Sequence, residues 1–156
     1  MSNKSGYFFQ HGNSKWHYFK MGSGSKALFC FHGYGQTGEM FKPLLPALKD
    51  EYTLYAFNFI HHGLTEWNTE DPCTPGDWAD MLDAFAIHIQ QRSIDLMGFS
   101  MGGKMILHSL HAIRIPIEKI YLIAMDGVEL NFINHPRLNR KWVKSLTEKF
   151  ILNASW

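Results

Sequence analysis

The residues most able to do chemistry form a short motif around a serine. Ser100 stands between Gly98-Phe99 and Met101-Gly102. An apolar run of strand length precedes the motif and a helical pattern follows it, the context in which a tight turn presents a serine hydroxyl to a base. Glycine suits positions 98 and 102 because a Cβ there would clash with neighbouring backbone. The motif therefore predicts Ser100 as a nucleophile, with the Met101 amide at a helix N-terminus as a donor to the developing oxyanion. The alternative is an incidental serine in a glycine-bearing turn, which this context disfavours.

A second glycine motif lies upstream, directly after the apolar run Ala27–Phe31. It consists of His32-Gly33-Tyr34 and a further glycine. Glycines allow such a loop to fold back over the strand ends, so the Tyr34 amide is predicted to be the second oxyanion donor. For His32 we favour a structural role in the loop over a catalytic one. The predicted substrate contacts are His32, Gly33, Tyr34 and Phe99.

The elements that must position these motifs alternate between strand and helix. An aromatic-rich hairpin is predicted over residues 7–19. Strands are predicted over residues 27–31, 52–59, 94–99 and 119–125, and helices over residues 39–48, 77–91, 101–113 and 139–150. Such alternation predicts right-handed β-α-β units. The expected fold class is α/β, a three-layer α/β/α sandwich with a mostly parallel sheet.

Composition excludes several classes of protein. Among the 156 residues, Lys and Arg number 15 and Asp and Glu number 14, a balance that argues against a nucleic-acid partner. No apolar run approaches the ~20 residues of a membrane span, and the first residues lack the long apolar stretch of a secretory signal. Cys30 and Cys73 cannot form a disulfide framework. Cys30 is expected to be a buried strand residue and Cys73 a loop thiol. A cytoplasmic protein that acts on a small molecule is expected.

The two glycine motifs resemble those of the α/β-hydrolase family, in particular its cap-bearing esterases, lipases and related small-molecule hydrolases. The resemblance covers about residues 5–126. It implies an α/β-hydrolase fold and hydrolysis of an ester-type bond through an acyl-enzyme at Ser100, without a cofactor. A serine at this position disfavours the haloalkane and epoxide branches, which use a carboxylate. Aromatic residues in the loop and cap segments suggest a partly apolar substrate: Tyr34, Phe41, Phe132 and Trp142.

Residues 58–65 are also similar to a family segment, D-x-R-G-H-G-x-S, but they depart from it. Asn58 replaces the acid, Ile60 the basic residue and His61 a glycine, whereas His62-Gly63 agree with the pattern. The segment is mainly structural in the family. Its divergence weakens assignment to a subgroup more than it weakens the fold prediction.

The family's triad order, Ser…Asp/Glu…His, is incomplete in this chain. Asp126 directly follows the predicted strand 119–125, a position where some family members carry the acid, so it is a candidate; capping of the next loop is the alternative. The histidines after Ser100 are His108, His111 and His135. The first two belong to the helix that leads away from Ser100 and the third to the start of the predicted cap. We therefore assign no histidine as the base.

Two histidine pairs raise the question of a metal site. They are His61-His62 and His108 with His111. Neither pair has an obvious third ligand, and the chain has no C-x-x-C or H-E-x-x-H pattern, so no metal is expected.

The predicted domains are residues 1–126, the N-terminal part of a hydrolase core, and residues 127–156, the start of a cap. The strands that follow in the family are absent, which would leave the predicted strand 119–125 as an apolar edge. We expect the N-terminal part of a longer hydrolase, or a chain completed by self-association or by a C-terminal half. The competing hypothesis is a catalytically inactive fragment or binding module of hydrolase ancestry. C–C bond hydrolysis by the same serine stays open as a third reading.

Overall fold

A computed structural model describes residues 6–124 of the chain. The strands are β1 (Tyr7–His11), β2 (Ser14–Gly22), β3 (Lys26–Phe31), β4 (Tyr52–Phe57), β5 (Ile94–Phe99) and β6 (Ile117–Ile123). The helices are a 3₁₀ helix (Gly38–Leu44), α1 (Leu45–Leu48), α2 (Pro75–His88) and α3 (Met101–Ser109). None of the helices within this part of the chain is long and apolar enough to cross a membrane.

The strands form one six-stranded sheet in the order β1-β2-β4-β3-β5-β6. The hairpin β1/β2 and the pair β2/β4 are antiparallel, whereas β3 pairs in parallel with β4 and β5, and β5 pairs in parallel with β6. The predicted α/β class with a mostly parallel sheet is confirmed. Because β3 to β6 run in one direction, the loops that follow them share one edge of the sheet, where α/β proteins place their sites.

Aromatic side chains fill the face of the sheet that α2 covers. Phe85 of α2 meets Phe57 and Phe29 edge-on, with ring centroids 4.9 and 5.5 Å apart. On the opposite face the 3₁₀ helix contributes Phe41 to a cluster with Leu28 and other residues of β2 to β5. Helical segments thus pack on both faces of the sheet, which buries β3 and β4 on both sides, as their continuous apolar runs predict.

The ends of the helices differ from the sequence prediction for local reasons. The segment predicted as one helix over residues 39–48 is a 3₁₀ helix followed by one α-helical turn, since Pro43 and Pro46 have no N–H to donate. Helix α2 begins two residues early, because Thr74 and Asp77 form a capping box around its first turn. Helix α3 ends at Ser109 instead of residue 113.

Asp83 of α2 holds the chain that follows α3. Its carboxylate accepts hydrogen bonds from the backbone N–H of Arg114 at 3.0 Å and of Ile115 at 2.8 Å. These amides are therefore unavailable to a longer helix, and the chain enters β6 at Ile117. Within residues 6–124, β6 pairs with β5 alone, and the predicted completion of the sheet by further chain stays a prediction.

A buried carboxyl lies at the other end of β5. Asp95 is 3% exposed and its Oδ2 accepts a hydrogen bond of 2.7 Å from the hydroxyl of Tyr52. The hydroxyl of Tyr121 lies 3.2 Å from that of Tyr52. Burial raises the pKa of Asp95 above its ordinary value, and the Tyr52 hydrogen bond and the charge of Lys119 only partly oppose this.

We expect Asp95→Asn to increase the free energy of unfolding at neutral pH. A raised pKa in the folded state means that stability is fully present below the ordinary Asp pKa of 3.8 and is lost as the pH rises through the folded value. The amide keeps an oxygen for Tyr52 without the charge. Urea unfolding at a series of pH values should show an advantage that shrinks on acidification.

The exposed Asp50 provides the matched control, and Asp50→Asn should change stability little at any pH. An Asp95→Asn protein that is less stable than wild type at neutral pH, or whose advantage does not depend on pH, would contradict this account of the buried carboxyl.

Candidate active site

Ser100 occupies a sharp turn between β5 and α3. Its φ of 51° and ψ of −112° lie where residues other than glycine are uncommon. Its backbone N–H donates to Ile123 O at 2.9 Å, and its carbonyl accepts from the N–H of Gly103 at 3.1 Å. The side chain makes no capping hydrogen bond to α3. The predicted tight turn is therefore present, and it leaves the serine hydroxyl out of the helix's own bonding.

Both flanking glycines are required by close backbone contacts. A Cβ on Gly102 would lie 2.1 Å from the carbonyl oxygen of Phe31. A Cβ on Gly98 would lie 2.5 Å from both the nitrogen and the Cα of Gly103. The first turn of α3 thus packs directly against the ends of β3 and β5, and a methyl group at Gly102 or Gly98 would disrupt these contacts.

The loop after β3 lies beside this turn. Phe31 pairs with Gly98 across β3 and β5, and Gly33 lies so close to the ring of Phe99 that an added Cβ would be 3.0 Å from it. Gln36 closes the loop through two hydrogen bonds to Gly33. Its side-chain Oε1 accepts from the Gly33 N–H at 3.2 Å, and its backbone N–H donates to Gly33 O at 3.3 Å. The two predicted glycine motifs are therefore neighbours at one edge of the sheet.

Two backbone N–H groups in these motifs donate no hydrogen bond within the described part of the chain. Among residues 6–124, neither the N–H of Tyr34 nor that of Met101 donates a hydrogen bond to another residue. Met101 opens α3, where the helix dipole favours negative charge. The side chain of Tyr34 is 85% exposed. Amides of this kind, on neighbouring strand ends, are the groups that an oxyanion hole requires.

His32 is fully buried beneath this loop. Its Nδ1 lies 2.7 Å from Gly33 O, and its Nε2 accepts the N–H of Phe59 at 3.1 Å. The accepted bond at Nε2 assigns the proton to Nδ1. Burial lowers the pKa of His32, an effect that the bond to Gly33 O only partly opposes, so the ring is held neutral. Both nitrogens are engaged by the backbone of two loops.

Three polar residues organise this edge: Gln36, which the sequence did not single out, and Asn58 and His62, which it placed in a structural segment without predicting their contacts. The Oδ1 of Asn58 accepts the N–H of Gly38 at 2.7 Å at the start of the 3₁₀ helix. The Nε2 of His62 accepts the N–H of Gly35 at 3.2 Å. The available signal was position, because Asn58 directly follows β4 and His62 lies four residues further on, in the loop that reaches the same edge as the glycine motifs.

The other candidates contribute no further group to this edge within the described residues. His108 and His111 are exposed, and Asp126 and His135 lie outside the described part of the chain, as does the predicted cap. Residues 6–124 contain no cluster of three or more His, Cys, Asp or Glu suited to a metal ion. Burial raises the pKa of the thiols of both cysteines, and Cys30 is fully buried in β3, as predicted.

A mixed sheet that carries a glycine-flanked serine turn and a glycine-rich loop at the carboxyl ends of its parallel strands defines a class of α/β enzymes. The sequence profile of the alpha/beta hydrolase family matches residues 28–154, well over half of the chain. The chain therefore belongs to the α/β hydrolase family.

Individual relatives agree with this assignment. The chain is 27% identical over 106 residues to an uncharacterized hydrolase, YugF, of Bacillus subtilis, a match covering 67% of this chain and 38% of the relative. It is 28% identical over 94 residues to a protein of Mycoplasma pneumoniae named "Putative esterase/lipase 2", covering 60% of this chain and 35% of the relative. The chain thus spans less than half the length of the curated relatives it matches.

A solved structure extends the likeness of the fold. A thermophilic esterase from Thermogutta terrifontis, in a malate-bound structure, matches with a TM-score of 0.60 at 22% identity, covering 70% of this chain and 40% of that one. This identity supports a common fold. The chain is thus a hydrolase-family protein whose relatives carry hydrolase and esterase/lipase names.

Proposed function

We propose that Ser100 is the nucleophile of a serine hydrolase that cleaves an ester-type bond of a small, partly apolar substrate. The observation that carries the proposal is the backbone of Ser100, with its φ of 51° between a strand and a helix that touch through two glycines. Strain of this kind costs about 1–3 kcal/mol and persists where the surrounding structure enforces it, commonly at functional sites. The esterase/lipase names of the relatives agree with the substrate class.

The proposed reaction is acyl transfer to Ser100 and then to water. The Ser100 oxygen attacks the ester carbonyl while a base takes its proton, and the negative charge on the carbonyl oxygen is met by the amides of Tyr34 and Met101. The carbonyl re-forms as the alcohol leaves with a proton. Water then releases the acid by the same steps. No cofactor takes part in these steps.

The roles around the nucleophile follow from the contacts. We propose that His32 positions the oxyanion loop, because its nitrogens are engaged by Gly33 and Phe59. His32 was also predicted to contact the substrate, but it is fully buried with both ring nitrogens facing backbone groups. Gly33, Tyr34 and Phe99 remain the proposed substrate contacts at the site. Asp126 remains the predicted acid, and no histidine is assigned as the base. The small-molecule substrate and the cytoplasmic location remain predictions.

The competing function is a catalytically inactive member of the family that binds a ligand at the same edge. The argument for this alternative is that no histidine is assigned as the base, and a serine hydroxyl without a base is a weak nucleophile. The N–H groups of Tyr34 and Met101, which bond to no other described residue, and the strained backbone of Ser100 favour hydrolysis, because a binding module needs neither. C–C bond hydrolysis would use the same serine and differs only in its substrate.

Labelling with a fluorophosphonate probe tests the proposal. We expect the complete gene product to be labelled at Ser100, as located by peptide mass spectrometry, and Ser100→Ala to abolish labelling. Ser93→Ala is the matched control, because Ser93 lies just before the other end of β5, where its hydroxyl donates to Glu118. Absence of label at Ser100 in the complete, folded protein would refute the proposal and favour the inactive reading.

A further inference from the structure

Two histidines link the loops after β3 and β4 in a reciprocal way. His32, from the first loop, accepts the N–H of Phe59 in the second at 3.1 Å. His62, from the second loop, accepts the N–H of Gly35 in the first at 3.2 Å. Each loop therefore supplies a ring nitrogen as acceptor and a backbone amide as donor to the other. The two rings lie against each other, with centroids 5.0 Å apart.

The second nitrogen of His62 makes the direction of its bond definite. Nδ1 lies 3.0 Å from the carbonyl oxygen of Ile60, which can only accept a hydrogen bond. Nδ1 therefore carries the proton and Nε2 presents a lone pair to Gly35. The ring also packs edge-on against Tyr34, with centroids 5.8 Å apart. His62 is half-buried in this position.

These bonds hold the two peptide planes on either side of Tyr34. The plane that carries the Tyr34 N–H is anchored through Gly33 O, which accepts from Gln36 N–H and faces His32 Nδ1. The next plane carries the Gly35 N–H, which His62 holds. Gly35 has a φ of +70° and nothing packs where its Cβ would be, so steric contacts do not replace that bond.

We propose that His62 is a positioning residue, which holds the Gly35 amide through Nε2 and thereby orients the Tyr34 amide towards the oxyanion. The inference rests on the proposed function of Ser100 and extends it to a residue on a different loop. Displacement of an oxyanion donor lowers the rate of the chemical step while leaving substrate binding nearly unchanged. Removal of the His62 acceptor should therefore lower kcat and leave KM nearly unchanged.

Three variants of the complete gene product test the proposal. His62→Leu removes the acceptor, whereas His62→Gln can place an amide oxygen close to the position of Nε2. His61→Asn is the control, because His61 is exposed and its φ of 63° is one that asparagine tolerates. The readouts are turnover of p-nitrophenyl acetate, the rate of fluorophosphonate labelling at Ser100, and hydrogen exchange of the Gly35 amide by NMR.

We expect His62→Leu to lower kcat and the labelling rate about 10- to 100-fold with little change in KM, and to speed Gly35 exchange. His62→Gln should recover most of the loss in kcat and in labelling rate, and His61→Asn should resemble wild type.

Unchanged hydrogen exchange of the Gly35 amide in His62→Leu would show that His62 does not hold this amide, whatever the activity. Faster exchange of the Gly35 amide with an unchanged labelling rate would refute the positioning role of His62 while leaving Ser100 as the nucleophile. A wild-type protein without label at Ser100 would refute the proposed function and with it the positioning role of His62. The exchange data would still decide whether His62 holds the Gly35 amide.

Discussion

Replacement of Ser100 by alanine is expected to lower ester hydrolysis by the complete gene product about 10³-fold or more, because loss of a nucleophile leaves only the contribution of binding and the oxyanion hole. Substrate binding should persist, since the Tyr34 and Met101 amides are backbone groups that the substitution does not touch. The measurement is steady-state turnover of p-nitrophenyl acetate, together with stability from urea unfolding.

Stability separates a strained nucleophile from an ordinary turn residue. Ser100→Gly should be as inactive as Ser100→Ala but more stable, because glycine adopts a φ of 51° without the cost that a Cβ brings. The relief of about 1–3 kcal/mol exceeds the ~0.5–1 kcal/mol by which glycine stabilises the unfolded chain. Equal stability of the two variants would contradict stored strain, and residual turnover near that of wild type would remove Ser100 from the mechanism.

Gly102→Ala is expected to destabilise the folded protein by about 3 kcal/mol or more. The added methyl group would lie 2.1 Å from the carbonyl oxygen of Phe31, which is backbone and cannot move aside without parting α3 from β3. Because Ser100 and the Met101 amide lie at this contact, labelling at Ser100 should also slow in the fraction that folds. Urea unfolding and probe labelling are the measurements.

Gly76→Ala provides the matched control. Gly76 is the second residue of α2, as Gly102 is of α3, but a Cβ there would meet no atom closer than Thr74 Oγ1 at 3.5 Å. Alanine at Gly76 should leave stability unchanged or raise it by up to ~1 kcal/mol. Similar losses in both variants would show that helix position, and not the contact with Phe31, sets the cost at Gly102.

Much of this edge of the sheet could be predicted from short stretches of sequence. The run before Ser100 and the pattern after it predicted a strand, a tight turn and a helix, and β5 and α3 meet at Ser100 as expected. The sequence also predicted the hairpin at the start of the chain and the strand that precedes His32. These features depend on apolar periodicity and on glycine, which act over a few residues.

Helix ends were less predictable because distant side chains decide them. Helix α3 stops at Ser109, whose carbonyl accepts from the Ala112 N–H in a tighter turn. Beyond it the Arg114 and Ile115 amides bond to Asp83, a residue on another helix, so the helix does not continue through residue 113. The helical pattern through residue 113 contains no sign of this competition. The capping box of Thr74 and Asp77 is the contrary case, a local signal that the sequence contained and that the prediction did not use.

The sequence by itself determined the fold class, the tight turn at Ser100 and the neighbouring glycine loop of this α/β-hydrolase family protein, since local pattern specifies strands and turns. Only the tertiary structure decided how the two loops hold each other. The bonds from Gly35 to His62 and from Phe59 to His32 join residues 27 positions apart, and they exist because β3 and β4 pair in parallel and end at one edge. Side chains with such partners carry no local signature, because their hydrogen bonds form only after the sheet has brought the strand ends together.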